Sequence, residues 1–188
     1  HMAQSISIGK QDFAFLRENN CFFVDKTNFI KEWWDNVDDI TLLTRPRRFG
    51  KTLNMSMLNC FFSNKYADRG DLFEGLSIWK EEKYRSLQGK YPVIFLSFAD
   101  VKQTNYKDAI QKIKNCIVEA YRNFPQLITW DGFSEGEHRQ IMAVTSEMDD
   151  VTAQDALKNL SAWLEHYYGK KAIILLDKYD TPMQEAYV

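Results

Sequence analysis

Buried strands alternating with amphipathic helices predict an α/β fold, a three-layer sandwich with a mostly parallel sheet between helices. Two observations carry this expectation. Residues 40–44, 93–98 and 172–176 form compact apolar runs of strand length, without the polar alternation of a half-exposed sheet. Helical periodicity lies between them, in the spacing of Met57, Leu58, Phe61 and Phe62, of Ala109, Ile110, Ile113 and Ile117, and of Ala156, Leu157, Leu160 and Leu164.

In chain order, Phe22-Phe23-Val24 reads as a short strand or extended lead-in. Asp25 or Thr27 can cap a helix whose apolar side carries Phe29, Ile30, Trp33 and Trp34, and Asn36 to Asp39 breaks it. Ile40-Thr41-Leu42-Leu43-Thr44 is the first buried strand. Residues 45–52 form a turn, and a helix through Leu53, Met57, Leu58, Phe61 and Phe62 follows. The polar, mixed stretch 63–90 predicts short helices and loops over one end of the sheet. Val93 to Phe98 is the second strand, followed by a helix from Tyr106 to Tyr121. Residues 124–151, punctuated by Pro125, Gly132 and Gly136, read as a loop and then a helix. A clear amphipathic helix runs through Ala156 to Tyr167, with Gly169 as its C-terminal cap. Ala172 to Leu176 is the third strand, closed by Asp177.

Composition narrows the function classes. The chain has 188 residues, 45% of them hydrophobic, with 13 Phe, 9 Tyr and 5 Trp, enough for a packed core. A formal charge of −2 gives no overall attraction to nucleic acid or anionic membrane, so neither is an expected partner. No apolar run reaches the length of a membrane span, and the first residues lack the layout of a signal peptide. Cys21, Cys60 and Cys116 are odd in number and far apart, and His138 and His166 fall at no zinc-like spacing. Reduced thiols in a cytoplasmic protein are the expectation.

The chemistry concentrates at Arg45-Pro46-Arg47-Arg48-Phe49-Gly50-Lys51-Thr52, between a buried strand and a helix. Backbone N–H groups of such a turn and of the helix N-terminus converge on phosphate oxygens, and the helix dipole adds partial positive charge. Gly50 lets the backbone approach the phosphate. Lys51 would reach the β- and γ-phosphates, and the Thr52 hydroxyl would bind Mg2+. The G-x-x-x-x-G-K-[ST] pattern has glycine where this chain has Arg45, and Pro46 disfavours helical geometry there. Arg47 and Arg48 fit phosphate or neighbouring-subunit contacts, and fit equally well as solvated loop arginines. The strand ending at Asp177 has the layout of a Walker B element, its carboxylate reaching Mg2+ beside Thr52. Two other patterns are set aside. Asp100-Val101-Lys102 fits half of a nuclease site but lacks a further acid, and Trp33, Trp34, Phe61 and Phe62 lie at helical spacing without a basic stripe, which marks them as core.

Residues 45–52, Leu175-Leu176-Asp177-Lys178-Tyr179-Asp180-Thr181-Pro182 and Phe22-Phe23-Val24-Asp25-Lys26-Thr27 together resemble the bacterial AAA-ATPase-like family over nearly the whole chain. The resemblance implies a P-loop NTPase core at 40–188, with 1–39 an N-terminal strand and helix extension packed on it. It also implies ATP and Mg2+ as ligands, a nuclease-like domain of the PD-(D/E)XK type following in the longer protein, and room for a homo-oligomer. Arginine at the position of Arg45 is common in the family. Relatives usually carry Glu at position 178, where a carboxylate orients and deprotonates the attacking water. Lys178 cannot do this at neutral pH unless its pKa falls far. The implied ATPase activity is therefore expected to be weak or lost here, and the alternative is a non-catalytic, nucleotide-regulated module. Asp180 offers a second carboxylate, or simply caps a turn before Pro182 with Thr181.

One structural expectation follows from the resemblance. In AAA-type ATPases the two Walker strands are separated by a strand that comes later in sequence, and none is visible here, so the sheet is expected to be incomplete at the C-terminus. Strands 40–44 and 172–176 should then pair directly, or the slot should be filled from another molecule, because unpaired backbone groups are costly in a dry interior. Either outcome is expected to displace Asp177 from Thr52.

Overall fold

A computed structural model describes residues 12–37, 43–44, 52–98 and 105–177. It is a mixed α/β fold with a small parallel sheet. Helices α1 (Phe13–Glu18) and α2 (Asn28–Asp35) precede strand β1 (Leu43–Thr44) and helix α3 (Thr52–Phe62). Three short 3-10 turns and α4 (Glu82–Arg85) lead to β2 (Val93–Ser97). Then come α5 (Tyr106–Arg122), α6 (Gln126–Thr129), α7 (Glu135–Met142), α8 (Asp150–Tyr168) and β3 (Ile173–Asp177).

The strand order is β1-β3-β2, and both pairings are parallel. Leu43 and Thr44 oppose Ile174 and Leu175, while Val93 to Ser97 oppose Ile173 to Asp177 without a slip. The strands carrying the two motifs therefore pair directly, the first of the two arrangements expected. Every residue of β3 is buried, as a central strand requires.

Alternation along the strands feeds two cores. Ile94, Leu96 and Phe98 of the β2 segment and Ala172, Ile174 and Leu176 of the β3 segment pack with α5 and α8. Val93, Ile173 and Leu175 turn the other way, toward α3. On that side α3 is buried around much of its surface, through Met55, Met57, Leu58, Cys60, Phe61 and Phe62. Trp33 and Trp34 pack on Phe62 at 5.1 and 5.4 Å, so these aromatics are core, as their spacing predicts. The Cys60 thiol is pushed up to about 12 by burial, which keeps it protonated and unreactive.

The segment after α3 is laced back onto it. Gly89 and Tyr91 donate their N–H groups to the carbonyls of Phe61 and Phe62. Gly89 has φ +72°, and a Cβ there would lie 2.4 Å from the Ala67 Cα, so the close approach requires glycine. Gly169 caps α8 in the left-handed conformation, as predicted. Residues 124–151 hold more helix than expected. Ser134 and Glu137 form a reciprocal capping box that starts α7, and Asp149 starts α8 well before Ala156.

The start of α2 also differs from expectation. Thr27 sits at the cap position, but its side chain makes no cap bond. Its hydroxyl instead donates to Asp25 Oδ1 at 2.6 Å and accepts from the Ile78 N–H at 3.2 Å. Asp25 Oδ2 accepts from the Ser77 N–H and hydroxyl at 2.8 and 3.0 Å. The Asp25-Lys26-Thr27 stretch is thus a clamp between the N-terminal segment and the turn at 77–78.

Partial burial of the Asp25 carboxyl raises its pKa, but the bonds from Thr27 and Ser77 outweigh this and hold it below the ordinary value. A carboxyl depressed in the folded state contributes stability above its unfolded pKa and loses it as pH falls through the folded one. Asp25→Asn should therefore cost about 1–2 kcal/mol at pH 7, the low part of the range for charge-assisted bonds because the residue is exposed. The cost should shrink below the usual aspartate range. Urea denaturation at pH 7 and pH 3 measures both, and an equal loss at the two values would refute the clamp's ionic character.

Candidate functional site

The carboxyl ends of the parallel strands form the crevice where α/β sheets hold ligands. Two side chains from the predicted site meet there. Thr52, the first residue of α3, donates its hydroxyl to Asp177 Oδ1 at 3.4 Å, across 125 positions of sequence. The expected displacement of Asp177 from Thr52 does not occur. The reason is local: α3 packs on the face of β3 that carries Ile173 and Leu175, and alternation turns Asp177 to that same face at the strand's last residue. Pairing β1 directly with β3 leaves this relation intact.

Asp177 is 2% exposed and Thr52 is half-buried, so the carboxylate sits at the bottom of the site with the hydroxyl above it. The backbone around Asp177 is fixed, since its carbonyl accepts from the Phe98 N–H at 3.0 Å. Next to it, Ser97 is the register partner of Asp177 and is exposed. Its carbonyl accepts from the Cys116 thiol of α5 at 3.3 Å. Position 97 carries no motif, and only the register of the strands brings it to the site.

Helix α3 is held from the N-terminal side. The Phe13 N–H of α1 donates to Ser56 Oγ, one turn beyond Thr52, at 2.9 Å. Arg17 ties the same short helix to the carbonyls of Leu72 and Glu74 at 2.8 and 2.9 Å. The helix that begins at Thr52 is thus pinned along its length by hydrogen bonds and by the aromatic cluster at its far end.

Arg45, Pro46, Arg47, Arg48, Phe49, Gly50 and Lys51 lie outside the described residues, as do Lys178, Asp180 and the Asp100-Val101-Lys102 stretch. Among the described residues no three His, Cys, Asp or Glu side chains gather into a metal-binding group. Likewise, none of the described helices is long and apolar enough to cross a membrane. None of the three cysteines is in a disulfide among the described residues. The Thr52–Asp177 pair presents two hard oxygen donors of the kind Mg2+ accepts, one a hydroxyl and one a carboxylate.

Comparison with known proteins identifies the family. A family model described as "Predicted AAA-ATPase" matches residues 7–188. A protein of Azotobacter chroococcum mcd 1, described as "Uncharacterized protein in vnfD 5'region", is 25% identical over 181 residues. The match covers 96% of this chain and 30% of that protein, so the chain spans under a third of its relative's length. No solved structure matches.

Proposed function

Because the chain belongs to the predicted AAA-ATPase family, we propose that it binds ATP with Mg2+ as the ATPase-like module of a larger bacterial protein. In this reading the mixed α/β fold is a P-loop-type three-layer sandwich, and residues 45–52 are its phosphate loop. The observation that carries the proposal is the 3.4 Å approach of the Thr52 hydroxyl to Asp177 at the carboxyl ends of parallel strands. Two residues 125 positions apart in sequence come together at this one end of the sheet.

The roles follow from donor chemistry. Lys51 and the Gly50 backbone would cradle the β- and γ-phosphates, and Thr52 and Asp177 would hold Mg2+. The ion, when bound, neutralises phosphate charge and fixes its geometry. Arg47 and Arg48 would add cations at the phosphates or at a neighbouring copy of the chain. At position 178 a lysine stands where the family resemblance implies the base, and Asp180 is a nearby carboxylate in sequence. That lysine favours a second reading, in which bound nucleotide controls an attached nuclease-like effector without turnover. The 30% coverage of the Azotobacter protein supports a larger polypeptide around the module.

Lys51→Ala should weaken ATP–Mg2+ binding about 10- to 100-fold, the equivalent of roughly 1.5–3 kcal/mol for a charge-assisted bond. Equal affinities for the two proteins by calorimetry would remove the site assignment.

Turnover should be negligible in the unaltered chain. Lys178→Glu should raise it by about 10²–10⁴, the usual contribution of a general base, if the remaining machinery is present. Brisk phosphate release by the unaltered protein, abolished in Asp177→Ala, would instead assign the base to another group such as Asp180.

A further inference from the structure

Along the α3-facing side of the sheet, side chains are apolar until the last register pair. On β2 the sequence is Val93, buried, then Phe95, half-buried, then Ser97, exposed. On β3 it is Ile173, Leu175 and then Asp177. The oxygen-bearing residues arrive together at the carboxyl ends, on adjacent strands and on the face from which Thr52 approaches. Parallel neighbours lie about 4.8 Å apart. The backbones of Ser97 and Asp177 are therefore one strand spacing apart, which lets a single water bridge the serine hydroxyl and the carboxylate.

Resting on the reading of Thr52 and Asp177 as a magnesium–nucleotide site, we propose that Ser97 is a positioning residue of that site. Its hydroxyl hydrogen-bonds a water carried by the cation beside Asp177, and that water holds the carboxylate turned toward Thr52. Three facts give this physical content. Mg2+ dehydrates reluctantly and keeps several waters, which need fixed partners around the site. Ser97 is exposed while Asp177 is 2% exposed, so the hydroxyl stands on the side from which those waters come. The backbone at this point is held from two directions, by the Cys116 thiol on the Ser97 carbonyl and by the Phe98 N–H on the Asp177 carbonyl. The hydroxyl is thus presented from a rigid strand end rather than from a loop. Groups that orient a metal ligand in this way are worth about 10- to 100-fold in metal affinity.

The test uses the 188-residue chain, with ATP and with Mn2+ as a paramagnetic substitute for Mg2+. ATP binding is measured by calorimetry in EDTA, and Mn2+ binding to the nucleotide-loaded protein by electron paramagnetic resonance. Ser97→Ala should weaken Mn2+ binding about tenfold or more and leave metal-free ATP affinity unchanged. Ser97→Thr and Ser97→Val, both compatible with a strand, provide the pair that separates the hydroxyl from folding effects. The threonine variant should retain the ion and the valine variant should lose it, at equal denaturation midpoints. Wild-type Mn2+ affinity in both Ser97→Ala and Ser97→Val overturns the role of Ser97. Asp177→Asn separates the two levels of the argument. If it weakens Mn2+ binding and the Ser97 variants do not, only the role of Ser97 fails. If it has no effect, or the unaltered chain binds neither ATP nor Mn2+, the nucleotide-site reading falls and the Ser97 role falls with it.

Discussion

The central strand β3 is the constraint on which the rest of the described structure depends. It accepts a parallel neighbour on each side, and all five of its residues are buried. Alternate side chains enter different cores, so a slip of one residue would exchange Ile173 and Leu175 with Ile174 and Leu176 and turn Asp177 away from α3. The packing that makes the strand stable is therefore the same packing that fixes the direction of its terminal carboxylate. Fold and candidate site share one register.

Much of this was legible in the sequence because buried strands and helix stripes announce themselves by hydrophobicity. The three strands fall where their apolar runs lie, Asp177 ends β3, and Gly169 takes the left-handed cap. Thr52 and Asp177 could be paired on paper because each carries a motif. Ser97 could not, since a lone serine after Leu96 says nothing until β2 and β3 are placed in register. The clamp was misread for a related reason. Thr27 has the composition of a helix cap, but a long-range partner at Ile78 competes for the same hydroxyl. The capping box at Ser134 and Glu137 is a local signal, obscured by Gly132 before it and Gly136 within it.

The expectation that direct pairing of β1 with β3 would separate Thr52 from Asp177 treated the sheet as the only determinant of their distance. The helix matters more. Thr52 is placed by α3, and α3 is placed by its contacts with β3, with α1 through Ser56, and with the Phe61–Phe62 cluster. A helix anchored at several points holds its first residue in position whatever stands beside β1.

That anchoring makes α3 a stiff rod of 11 residues, about 16 Å long. One end bears Thr52 and the other carries Phe62 against the indoles of Trp33 and Trp34. The same helix therefore carries the first hydroxyl of the crevice at one end and, about 16 Å away, the phenyl ring on which two indoles rest.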